Sequence, residues 1–244
     1  VFDHGTGMTM RYYEYLSTTK VEMLYPQIDR TSRATGGEVG IDLTVFKATR
    51  KTDGIRPLTV HDKLTAVEEW IYAHEPVGTP DEPDVWIYGR ADLLATTLTL
   101  TDESDDPGPV LFTPSAGEGT DLLMGGSSRN SSSSRAYPDM PLPPQLRSHS
   151  SPVSMSATLA ALADDLEIPA SSDDAGHGRV IAGLAEWIRA NDGRPAEPPR
   201  TLGFRVSPPV RLGECEFLAK RLRTAKHKSR PATLATPLFV ALLD

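Results

Sequence analysis

The sequence predicts an α/β (α+β) fold: a mixed, largely antiparallel sheet packed by three to four helices. Three patterns carry that expectation. Segments with two-residue alternation fill the first half, and apolar stripes at helical spacing fill the second. The chain then ends in a segment apolar on both faces, which suits a central strand. Such a strand pairs within the sheet of the first half, so residues 11–244 are expected to form a single domain after an N-terminal extension, 1–10.

Tyr13, Tyr15 and Leu16 begin an aromatic-rich strand of the kind that suits a half-buried pleated surface. It runs into the hydroxyl-rich turn Ser17-Thr18-Thr19 and a short apolar turn of helix stopped by Pro26. Beyond a turn at Gly36-Gly37, Val39, Ile41, Leu43 and Val45 alternate with Gly40, Asp42, Thr44 and Phe46, a strand pattern. Thr59 and Asp62 have the spacing of a capping box before Val60, Leu64, Val67 and Ile71, a helix ended by Pro76 and Gly78. Two strands, Asp84–Arg90 and Leu93–Leu100, are expected around Gly89. An acidic turn, Asp102–Asp106 with Pro107-Gly108, separates them from short strands at Val110–Phe112 and Asp121–Met124, closed by Gly125-Gly126.

From Ser127 to Pro152 a serine run (Ser131–Ser134) and several prolines leave little apolar area to offset chain entropy. A mobile loop is expected there, with a substrate-gated lid as the functional alternative. Met155, Leu159, Leu162 and Leu166 then trace one amphipathic helix, and His177, Ile181, Leu184 and Ile188 a second. Leu212–Arg223 reads as a third, supported by the Glu216–Lys220 spacing, with Cys215 as a buried and inert thiol. Thr233–Leu243 is the central strand. Trp70, Trp86 and Trp187 fall on apolar faces and are expected in the core.

Composition narrows the function classes. A net charge of −8 disfavours a surface built for nucleic acid. A single cysteine excludes an internal disulfide framework and a cysteine-clustered zinc site, and fits a reducing cytoplasm. No apolar run approaches the ~20 residues of a membrane span. The six histidines (His4, His61, His74, His149, His177 and His227) have no metal-ligand spacing, and no metal is expected. The acidic Asp102–Asp106 group lacks the alternation of a calcium loop.

Ser17-Thr-Thr-Lys20 matches the Ser-x-x-Lys pattern of penicillin-recognising acyl-enzymes, and Ser128-Arg-Asn130 imitates their second motif. No Lys-Thr-Gly strand follows Asn130, so that reading fails. A milder site keeps its parts. A helix starting near Ser17 or Thr18 offers free N–H groups to an anion, Lys20 adds charge, and Arg90 at a strand end joins them. Gly125-Gly126-Ser127-Ser128-Arg129 resembles a small anion-cradling turn. It lacks the Gly-Lys-Ser/Thr ending of a Walker A loop, and no dinucleotide fingerprint is present, so no cofactor is expected. Lys220, Arg221, Arg223, Lys226, Lys228 and Arg230 form a basic cluster without interleaved aromatics, suited to an acidic partner or phosphorylated ligand more than to nucleic acid.

The opening Arg11-Tyr-Tyr-Glu-Tyr-Leu-Ser-Thr-Thr-Lys-Val-Glu-Met-Leu-Tyr-Pro-Gln-Ile28 resembles the start of a protein family of high-GC actinobacteria to which no activity is assigned. Gly37–Leu43, Val77–Thr79 with Tyr88–Arg90, Leu123–Ser127, Glu216–Leu222 and Thr236–Ala241 are similar to it as well. The chain departs from that pattern after Gly126, where Arg129–Ser134 becomes serine-rich. Two function classes stand. One is a cytoplasmic binding or regulatory module for a small anionic molecule or a protein partner, seated on Ser17, Thr18, Lys20, Arg90, Gly125, Gly126, Ser127 and Arg129. The other is a small-molecule enzyme, of secondary metabolism, using the same surface for acid–base chemistry.

Overall fold

The structure, a computed structural model, describes residues 11–34, 57–100, 107–117, 119–132, 159, 162–164, 167–168, 173–194 and 204–243. The chain divides into two units, Val1–Ser17 with Pro76–Asp244, and Thr18–Glu75. Strands make up most of the described part of the first: β1 (Tyr12–Leu16), β2 (Val77–Gly78), β3 (Trp86–Leu100), β4 (Pro107–Pro114), β5 (Asp121–Ser127), β6 (Phe204–Val206), β7 (Val210–His227) and β8 (Arg230–Leu242). The described part of the second is two helices, α1 (Thr18–Ala34) and α2 (Val60–His74); among the described residues the first unit carries a further helix, α3 (Asp174–Ala190).

All eight strands belong to one mixed sheet. Five of them close on themselves, because β3 pairs with β4, β4 with β5, β5 with β8, β8 with β7, and β7 returns to β3. The barrel is antiparallel except between β5 and β8. Closure leaves these strands with no free edge along the ring. β1 extends the sheet by pairing antiparallel with the end of β8, as the apolar C-terminal segment led one to expect.

Alternation divides the core in two. Val110, Phe112, Leu122, Met124, Leu93, Ile87, Phe217, Ala235 and Val240 cluster with Tyr15 in the barrel interior. Leu111, Leu123, Leu94, Leu98 and Leu234 point outward and meet Ile181, Leu184 and Ile188 of α3. Each of those helix side chains gains about 1.5–3 kcal/mol by leaving water. Asp173 caps α3, its carboxylate accepting from Gly176 N–H at 2.7 Å. Leu159 and Leu162, from the preceding predicted helix, join this outer core, and residues 159 and 162–164 are helical.

Leu212–Arg223 is not a helix but part of the 18-residue strand β7. Residues four apart share a face of a strand as well as of a helix, so Glu216 and Lys220 fit both periods. Cys215 to Ala219 are buried in succession, since β7 lies between β3 and β8 with both faces covered. Likewise Asp84–Arg90 and Leu93–Leu100 are one strand, not two. Gly89 sits within it because a Cβ there would lie 2.6 Å from Cζ of the Phe217 ring. At Pro237, which has no N–H to give the ladder, the β7–β8 register shifts.

In the helical unit Pro26 does not end the helix; α1 continues to Ala34. The N–H that Pro26 lacks would have met the carbonyl of Glu22, a residue on an exposed stretch of the helix. The predicted capping box of α2 is formed. Thr59 Oγ1 accepts from Asp62 N–H at 3.2 Å, and Asp62 Oδ2 accepts from Thr59 N–H at 2.8 Å. Lys63 of α2 reaches Glu22 of α1 at 2.7 Å. Trp70 is half-buried and stacks on His74, with ring centroids 5.1 Å apart. The expected strand Val39–Val45, the acidic turn 102–106, the N-terminal extension and loop residues 133–152 lie outside the described residues.

Candidate functional site

Three of the predicted site residues converge, on a side chain rather than on a cavity. Tyr15 ends β1 with its ring fully buried, edge-on to Phe112 at 5.7 Å. Its hydroxyl bonds to the Ser17 side chain, the backbone of Ser127 and, at 3.5 Å, Asn130 Nδ2. Burial pushes the phenol pKa up, against these hydrogen bonds. A Cβ on Gly126 would lie 2.6 Å from Tyr15 Cζ. Gly125 and Gly126 are therefore not an anion-cradling turn. They are buried inside β5, paired with Leu111 and Val110, and the absent side chain of Gly126 is the space that the tyrosine occupies.

Ser127 and Arg129 are exposed, and Ser128 to Asn130 form a 3-10 turn that leads the chain back to β1. The first two residues of the serine run, Ser131 and Ser132, lie against β1 there. Ser131 bridges to Tyr15, Ser132 N–H donates to the Glu14 carbonyl at 2.7 Å, and the hydroxyls of both donate to the Glu14 carboxylate.

Arg90 does not lie at that end. It stands beside Glu216, its cross-strand neighbour, at 3.8 Å, and Arg11 reaches the other oxygen of the same buried carboxylate at 2.7 Å. Neighbouring Tyr88 and this carboxylate raise the pKa of Arg90. Thr18 and Lys20 open α1 in the other unit, and burial lowers the Lys20 amine to about 8. Cys215 is buried in β7, and burial, with help from Asp92, Glu14 and Glu214, pushes its thiol up to about 12.

A second place gathers more charge around open space. A cleft of about 280 Å³ is lined by Gly117, Asp121, Glu186, Arg189, His227, Lys228 and Arg230. Three elements build it. The last turn of α3 supplies Glu186 and Arg189, three residues apart and so on one face. The start of β5 supplies Asp121. The β7–β8 hairpin supplies His227, Lys228 and Arg230; in its two-residue turn Lys228 and Ser229 both take positive φ, 45° and 68°, the geometry that turns such a hairpin tightly.

Arg189 is the centre of the cleft. Its Nη2 donates to Asp121 Oδ1 at 2.7 Å, with both side chains largely buried. Its Nη1 is buried and has no hydrogen-bond partner among the described residues. An unpaired buried donor costs about 1–3 kcal/mol, more for a charged group. Arg230 Nη1 donates to the Gly117 carbonyl at 3.1 Å, which fixes that guanidinium at the rim. Lys228 and Glu186 have no hydrogen bond or ion pair among the described residues. The arrangement can hold an anion against Arg189 with Lys228 and Arg230 beside it.

Of the predicted basic cluster, then, only Lys228 and Arg230 line the cleft. Lys220 lies over the Trp86 ring at 5.8 Å, and Arg221 bonds to the Pro83 carbonyl at 3.0 Å. Arg189, Asp121 and Glu186 carried no signal in the sequence. Arg189 follows the last apolar residue of the α3 stripe, where a cation is expected at a helix end in any case.

Among the described residues no group of His, Cys, Asp and Glu is placed to hold a metal ion, and no helix is long and apolar enough to cross a membrane. No curated protein and no solved structure matches the chain. A family model matches residues 11–244, nearly the whole sequence, and by it the chain belongs to the family of unknown function DUF7019.

Proposed function

We propose that this protein is a binding module for a small anion, seated in the Arg189 cleft. The observation that carries the reading is the orphaned Nη1 of Arg189. A buried guanidinium donor without a partner is costly alone, and a carboxylate or phosphate oxygen in the cleft offsets that cost with a charge-assisted hydrogen bond. Lys228 and Arg230 add positive potential at the rim, and the stiff hairpin holds them in place. The ligand class is the one the sequence suggested; the seat has moved from the Ser17–Arg129 set to the α3 end of the barrel. A reducing cytoplasm suits the lone cysteine of such a module.

The enzyme reading keeps one supporting observation, the Lys20 amine brought to about 8, a value fit for acid–base work near neutral pH. Calorimetric titration with inorganic phosphate and propionate tests the binding reading. Saturable binding of at least one is expected, and Arg189→Lys, which retains charge but loses the fork, weakens it about tenfold or more. Binding unchanged in Arg189→Lys and in Lys228→Ala/Arg230→Ala overturns the assignment, as does no binding at all.

A further inference from the structure

We infer that the ligand of the Arg189 cleft is a zwitterion of the size of a simple amino acid, a carboxylate bearing an ammonium group. This rests on the anion-site reading above and adds the second half of the ligand. The charges of the lining decide it. Arg189 and Asp121 neutralise one another at 2.7 Å, which leaves Lys228 and Arg230 against Glu186, a single net positive charge from these five side chains. A cleft of that balance suits one carboxylate. A pyrophosphate or other polyanion brings its extra charge up against the exposed Glu186 carboxylate.

Glu186 itself is the second recognition element. It lies three residues before Arg189 on the same face of α3, so one small molecule spans both. Its carboxylate has no hydrogen bond or ion pair among the described residues. A carboxylate on Nη1 of Arg189 with an ammonium on Glu186 satisfies both groups. A ligand of a few heavy atoms fits within the roughly 280 Å³ available and leaves room for bridging water.

Four probes separate the possibilities: L-alanine, propionate, inorganic phosphate and pyrophosphate, each titrated into the full chain by calorimetry. Alanine and propionate differ by the ammonium group alone, so their affinity ratio reads the Glu186 contact. Alanine is expected to bind about three- to fivefold more tightly, the range of one partly exposed ion pair. Glu186→Gln should cancel the advantage of alanine over propionate, with propionate itself bound no more weakly than before. Equal affinities in the unmodified protein, or tighter binding of either phosphate, overturn the zwitterion and leave the anion site standing. If none of the four binds, the anion site falls and the zwitterion with it.

Discussion

Gly126→Ala tests the packing logic of the β1–β5 junction. The added Cβ lies 2.6 Å from Cζ of Tyr15 and closer still to its hydroxyl. The ring cannot swing aside, because it is fully buried against Phe112 and its hydroxyl is held by Ser17, Ser127 and Asn130. Overpacking of this kind costs about 1–3 kcal/mol. Taking about 2 kcal/mol, the thermal midpoint falls by about 4–8 °C for a protein of this size. Tyr15→Phe alone costs about 1–2 kcal/mol, since Ser17 and Asn130 lose a buried partner. In the double variant the glycine substitution costs less, because the nearest obstructing atom is gone, giving a coupling of about 1 kcal/mol in urea unfolding. A Gly126→Ala protein as stable as the parent, or strictly additive effects, refutes the claim that this glycine exists to admit Tyr15. Loss of anion binding with stability intact restores the cradle reading instead.

Two further outcomes follow from burial. Cys215, with its thiol pushed up to about 12, should resist iodoacetamide at pH 8 in the folded protein and react only after denaturation; rapid labelling under native conditions contradicts its place in the core. Lys20, lowered from 10.5 to about 8 by burial, is charged and penalised in the folded state below pH 8. The unfolded chain holds that proton up to about 10.5, so stability rises with pH between the two values. Lys20→Met should therefore stabilise the protein at pH 7, by at most about 3 kcal/mol, and the gain should vanish above pH 10.5. A loss of stability at pH 7 shows that the amine makes a contact worth more than its burial costs.

What was legible in the sequence was local. The Thr59–Asp62 box, the α3 stripe and the doubly apolar β8 each announce themselves within a few residues, and each formed. β7 did not, because Phe217, Leu218 and Ala219 are buried in a row and Glu216–Lys220 fits either period. Recognising it as a strand requires its partner β3, more than a hundred residues earlier, and the same long-range pairing closes the barrel. Gly89 and Gly126 misled for a related reason. They suggest turns, but both make room for an aromatic ring from another strand. The cleft was hidden most deeply, since Arg189 finds Asp121 only when α3 lies across the start of β5, and Lys228 sits on a hairpin that exists only because β7 pairs with β8.

The most direct test of the central claim is where an anion perturbs the protein. Amide chemical shifts should be followed by NMR as propionate, and separately phosphate, is added to the full chain. The account predicts saturable shifts concentrated at Gly117, Asp121, Glu186–Arg189 and His227–Arg230. Shifts centred instead on Ser17–Lys20 and Arg90, with the cleft silent, would contradict it.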